Sequence, residues 1–138
     1  MSPAVWDDVL PRILAAAASL GLVVELPNED AGERPQPPTP WLDIEISANS
    51  SETIELGGAI WNEEGTIWLH VMIPVGTGIA TGLALRKGLA NAFRGVNDSI
   101  VGLVYRNEMA MDPAGPATDD GVYRPLTLLI RYHFQDTT

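Results

Sequence analysis

The chain has 138 residues, 46% apolar and 19% charged, and no cysteine, which suits one domain with a real core and excludes a two-domain enzyme, disulfides and thiolate chemistry. Its net charge of −10 lies in the first half: 12 Asp and Glu stand against Arg12 and Arg34 up to Gly65, while six acids balance six bases from Thr66 onward. So acidic a surface repels phosphate backbones and excludes stable non-specific DNA binding.

In chain order, MSPAVWDD starts acidic, unlike the basic start of a signal peptide. Ser2 and Pro3 suit an N-cap and a first helical turn, Val5, Val9, Leu10, Ile13, Leu14, Ala17 and Leu20 recur at helical spacing, and Gly21 is a stop. Pro11 interrupts this pattern, as a kink or as the true first turn. The most apolar stretch, Ile13 to Val24, is too short to span a bilayer. A soluble, intracellular chain without cysteine, as in a reducing cytoplasm, is the expectation. LVVEL at 22–26 is a short strand candidate, and PNEDAGERPQPPTP at 27–40, with five prolines, reads as a long arm or surface loop.

From Trp41 the period changes to two. In WLDIEISA, Leu42, Ile44, Ile46 and Ala48 alternate with Asp43, Glu45 and Ser47, the signature of a sheet with one wet face. ETIELGGAIW and TIWLHVMIPV flank NEEG at 62–65, which predicts a hairpin turn there. In the second of these strands Ile67, Leu69, Val71 and Ile73 share one face and Trp68, His70 and Met72 the other, so both faces are expected to be largely apolar, one under helices and one open to a partner. A helix follows from Ile79 to about Arg94, ended by Gly95. IVGLVYRNEM at 100–109 and VYRPLTLLIRYHF at 122–134 are the last strands, with Pro125 at a sheet edge or outside the ladder, and AMDPAGPATDDG at 110–121 is a second long loop. This order predicts one α+β domain over 1–138, with a largely antiparallel mixed sheet of about four to five strands and two helices packed on one face.

Gly76, Gly78 and Gly82 fall between a strand and a helix, where phosphate sites form. A dinucleotide fold needs repeated βαβ units and a P-loop needs G-K-[ST], and neither follows. The glycines therefore read as a turn that sends the helix back over the sheet, with a nucleotide site at Gly76–Gly82 as the rival. His70 and His133 are strand residues without a neighbouring nucleophile motif. The pairs Asp7–Asp8, Glu63–Glu64 and Asp119–Asp120 sit at a helix start or in turns, where carboxylates cap and solvate. Asp112, Asp119 and Asp120 are a candidate metal set, but without a calcium-loop spacing. No catalytic, cofactor or metal residue is assigned, and no enzymatic activity is expected.

The second half resembles a known family. MIPVGTGIATGLALRKGLANAFRG at 72–95, then DDGVYRPLTLLIRYHF at 119–134, is similar to the tail terminator proteins of long-tailed phages and prophages. There an extended turn leads into an alanine- and leucine-rich helix, and an acidic segment opens the last strand. The resemblance covers roughly Trp41 to Phe134, leaving the first helix and the proline-rich arm outside it. It implies a non-catalytic virion protein, assembled in the cytoplasm of a bacterial host, that closes as a homo-hexameric ring on the head-proximal end of the tail tube. Its partners would be other copies of itself, the tube protein and a head-tail connector or neck protein, with DNA only passing through the lumen and no membrane contact. Another ring-forming neck or connector protein is the alternative.

On this reading Trp68 and Met72 bury the spare sheet face between subunits, and Gly76, Thr77 and Gly78 join the interface. Arg86, Lys87, Arg94, Arg106 and Arg124 are expected to face the acidic first half of a neighbour. Loops 27–40 and 110–121 reach adjacent chains or the tube, and the excess acid lines the channel.

Overall fold

The computed structural model describes residues 1–29, 32, 34–53, 57–111 and 114–137, with all their side chains except those of 49, 107 and 108. Its elements run α1 (Pro3–Leu20), β1 (Val23–Glu25), β2 (Trp41–Thr53), β3 (Trp61–Pro74), α2 (Ala80–Asn91), β4 (Leu103–Met111) and β5 (Tyr123–Asp136). The five strands form one sheet in the order β1-β2-β3-β5-β4. β1 runs parallel to β2 and the other pairings are antiparallel. The expected α+β class and strand number hold.

α1 starts where Pro3 needs no N–H partner and stops at Gly21, whose left-handed φ of 69° lets its N–H turn back to Ala17 and Ala18. Ser2 does not cap through its hydroxyl, as its residue type suggests; its backbone N–H instead donates to Glu63 at 2.8 Å. Pro11 neither starts nor breaks the helix, but sits inside it on the exposed side. Val5, Val9, Ile13 and Ala17, four residues apart, form the buried stripe.

That stripe meets one face of the sheet: Leu42 and Ile44, then Ile67, Leu69, Val71 and Ile73, then Leu126, Leu128, Ile130, Tyr132 and Phe134. Leu89, Ala90 and Phe93 of α2 complete the same core, with Phe93 edge-on to Tyr105 at 5.1 Å. Both helices therefore cover one face.

Two expectations need correcting, and a third, the place of Pro125, resolves to the sheet edge. The β2–β3 turn is not at 62–65, which lies inside β3 paired with both neighbours; the chain turns at 57–58 instead, and of the predicted strand over 52–61, residues 54–56 lie outside the described ones. NEEG tolerates the strand because Glu63 is buried beside the Ser2 amide and Gly65 makes room for Tyr132, whose ring occupies the space a Cβ would fill. β4 begins at Leu103 rather than residue 100, because 100–102 form a turn. Pro125 lies within β5 opposite Met72, but β4 has already ended at the Met111–Leu128 pair. Its carbonyl accepts from Gly115. Since N and O of a strand residue point the same way, the missing N–H faces that loop and no β3 bond is lost.

Candidate interaction surfaces

The outer face of the sheet was expected to be a spare apolar surface, and it is not. The register sets Met72 between Trp41 and Pro125, His70 between Asp43 and Thr127, and Trp68 between Glu45 and Leu129. Met72 is only 7% exposed in the single chain. Trp68 is half-buried and its indole N–H points at Ser47 Oγ, 3.4 Å away. A polar row of Asp43, His70 and Thr127 thus separates Met72 and its neighbours from Trp68 and Leu129, which a reading of β3 alone misses. The proline-rich arm folds back here too, for the Arg34 guanidinium lies 3.4 Å over the Trp41 ring and pairs with Glu25. Residues 30, 31 and 33 of the arm lie outside the described residues.

Both histidines of this face are engaged within the chain. His70 sits 2.7 Å from Thr127 Oγ1 through Nδ1 and 3.2 Å from Glu45 through Nε2. His133 meets Asn62. Burial, together with nearby Glu25 and Glu45, outweighs His70 and Arg34 and holds the Asp43 carboxyl above the usual range.

The expected interface cations divide into three kinds. Arg86 is 8% exposed, and its Nη1 faces the Thr127 carbonyl at 3.4 Å, where β4 no longer covers β5. It belongs to the fold rather than to a surface awaiting a neighbour. Arg106 pairs with Glu64 of its own chain at 2.9 Å. Lys87, Arg94 and Arg124 are exposed; Arg94 reaches only Asn91 of its own helix, and Arg124 has no ion partner among the described residues.

At the Gly76–Gly82 turn, φ of 89° at Gly76 and 80° at Gly78 reverse the chain. The Thr77 hydroxyl donates to Pro74 O at 2.8 Å, and the Val75 amide to Val122 O at 2.8 Å. Gly82 lies where a Cβ would strike Leu126 and Ile73, so it brings α2 down onto the sheet. The glycine spacing is thereby accounted for by packing. The cleft beside the turn, about 340 Å³, is lined by Ile73, Pro74, Val75, Ile79, Ala114 and Arg124 together with Gly76 and Gly78. Its single cation and apolar walls differ from an N–H-lined phosphate cradle.

Of the acid pairs, Asp8 departs from expectation and Asp120 keeps to it as a turn cap. Asp8 is not a solvated helix-start residue: with 7% of its side chain exposed, it accepts from Arg12 Nε at 2.9 Å, Tyr105 Oη at 2.6 Å and the Ile100 amide at 3.1 Å. In the last loop, Asp120 accepts from the Thr118 hydroxyl and the Val122 amide, which hold its carboxyl below the usual range. Among the described residues no three His, Cys, Asp or Glu are placed to hold a metal, and Asp112 lies outside them. Nor, among these residues, is any helix long and apolar enough to cross a membrane.

Large apolar side chains are exposed elsewhere, at the two ends of the sheet. Among them Val75, Ile79 and Leu83 lie along the glycine turn and the start of α2, Met111 at the end of β4, and Ile100, Val101 and Val104 at the start of β4. The last group was legible only as part of a strand; Gly102 in SIVGLV was the one sign of a turn.

No protein-family model and no curated protein sequence matches the chain. Among solved structures, one that carries no functional description matches all of this chain and 99% of its own, with a TM-score of 0.68 at 19% identity. A chain in the virion of a native gene transfer agent (GTA) particle matches over 94% of this chain and 93% of its own, with a TM-score of 0.61 at 15% identity. The fold occurs in a virion. At such identities the likeness is one of fold, and it spans both helices and the whole sheet rather than a local motif.

Proposed function

We propose that this protein is a structural component of a phage-like particle and, within it, a tail terminator: a ring of copies that caps the head-proximal end of the tail tube, stops its growth and presents a surface for head joining. The observation that carries this reading is the near full-length fold match to a chain of the GTA virion. The sequence resemblance adds to it. The two stretches that carry it, 72–95 and 119–134, are far apart in sequence but lie together, since β3 pairs with β5 from Pro74–Tyr123 onward and Gly82 of α2 packs on Leu126. In this reading the chain does no catalysis, and the acid excess of its first half lines the channel so that passing DNA is not retained.

Electron microscopy of tail tubes assembled with and without the protein tests the proposal. Rings at one end of each tube and a halt in elongation are expected; tubes that keep growing with bare ends defeat it. A second reading, another ring-forming neck protein, is favoured by the fact that the virion match names the particle and not a position within it. Rings that bind the neck but not the tube establish that reading instead.

A further inference from the structure

Val101 is 97% exposed, the most exposed large apolar side chain among the described residues, with Ile100 and Val104 beside it. It stands on a turn held from several directions. The Ile100 amide donates to Asp8, the Ser99 hydroxyl to Leu103 O at 2.8 Å, and the Gln135 amide to Gly102 O at 3.0 Å. Asp98 pairs with Arg12 at 2.9 Å, yet its side chain stays 75% exposed. The turn therefore cannot fold its valine away from water, and it carries a carboxylate at its base. An apolar side chain fixed in the open is preorganised for insertion into a partner.

A complementary feature lies at the other end of the sheet: the cleft between Val75 and Ile79, with apolar walls and exposed Arg124 on its rim. The turn bonds to β5 at Gln135 and the cleft touches it at Arg124, a separation of roughly 35 Å along the strand. One chain cannot fill its own cleft. We propose that Val101 of one copy seats in the Val75–Ile79 cleft of a second copy, with Asp98 of the first beside Arg124 of the second. The two surfaces differ, so the contact is heterologous and repeats from copy to copy until a ring closes. The inference rests on the reading that copies of this chain assemble, and it names the contact through which they do so.

The chain has no cysteine, so Val101→Cys and Val75→Cys report on this contact alone. With a short bis-maleimide, a mixture of the two single variants at millimolar concentration gives dimers containing one of each, and the double variant gives a ladder. Neither single variant links to itself. Val101→Asp, at an exposed site, keeps the circular dichroism spectrum and weakens self-association at least about tenfold. Self-linking of Val101→Cys, or no linking in the mixture, overturns the inference, whether or not the wild-type chain sediments as an oligomer. Capping of tail tubes is scored separately with wild-type protein: capping without linking removes the contact and leaves the terminator reading, and linking without capping does the reverse.

Discussion

The Tyr105 hydroxyl of β4 donates to Asp8 of α1 across 2.6 Å, joining residues 97 positions apart in the chain. Burial alone would raise the Asp8 pKa, but the donors Arg12, Tyr105 and the Ile100 amide outweigh it and hold the carboxyl below its usual range. Burial and the Asp8 charge in turn push the Tyr105 hydroxyl upward. A carboxyl with a depressed folded pKa contributes fully above its unfolded value, near 4, and loses that contribution as pH falls through the folded value. Asp8→Asn should therefore lower stability by about 2 kcal/mol at pH 7, with the two proteins converging below about pH 4. Urea unfolding at several pH values reads this; a deficit unchanged in acid means that the charge is not what matters.

Asp43 gives the opposite sign. Burial raises its pKa first, with Glu25 and Glu45 adding to the effect against His70 and Arg34. A carboxyl with a raised folded pKa weakens the fold at neutral pH, and the penalty disappears as pH falls below the unfolded value. Asp43→Asn should stabilise at pH 7 by less than about 1 kcal/mol, since half-exposed charges are screened by water. Thermal melts at pH 7 and in acid distinguish the outcomes: a gain that persists in acid, or a loss at neutral pH, contradicts the assignment.

Gly65 is placed by close approach. A Cβ there would lie 2.4 Å from the Tyr132 hydroxyl and 2.5 Å from its ring, in a side chain of a residue 1% exposed. Gly65→Ala should lose about 1–3 kcal/mol through overpacking. Adding Tyr132→Leu should make the pair less damaging than the sum of the two changes, because they share one space. Strict additivity in a denaturation cycle would show that the ring and the glycine do not compete.

Neighbouring cations on α2 should behave differently. Arg86→Ala removes a buried side chain facing the Thr127 carbonyl and should destabilise by about 2 kcal/mol. Lys87→Ala, at an exposed site, should stay within about 0.5 kcal/mol. Equal effects in chemical denaturation would mean that Arg86 has no structural part.

The sequence by itself determined the elements and the inner face of the sheet. Val5, Val9, Ile13 and Ala17 announce α1, Gly21 its end, and Ile67, Leu69, Val71 and Ile73 the core side of β3, because such periodicity arises from neighbours along the chain. Only the tertiary structure decided what those elements meet. NEEG has turn chemistry, yet it is a strand because Glu63 lies beside the first residues of α1 and Gly65 under Tyr132. Trp68 and Met72 look like one spare apolar face until register sets Asp43 and Thr127 between them and Glu45 beside Trp68. Arg86 reads as a surface cation until the early end of β4 exposes the Thr127 carbonyl to it. In each case the deciding partner lies more than 15 residues away, beyond the reach of a local pattern.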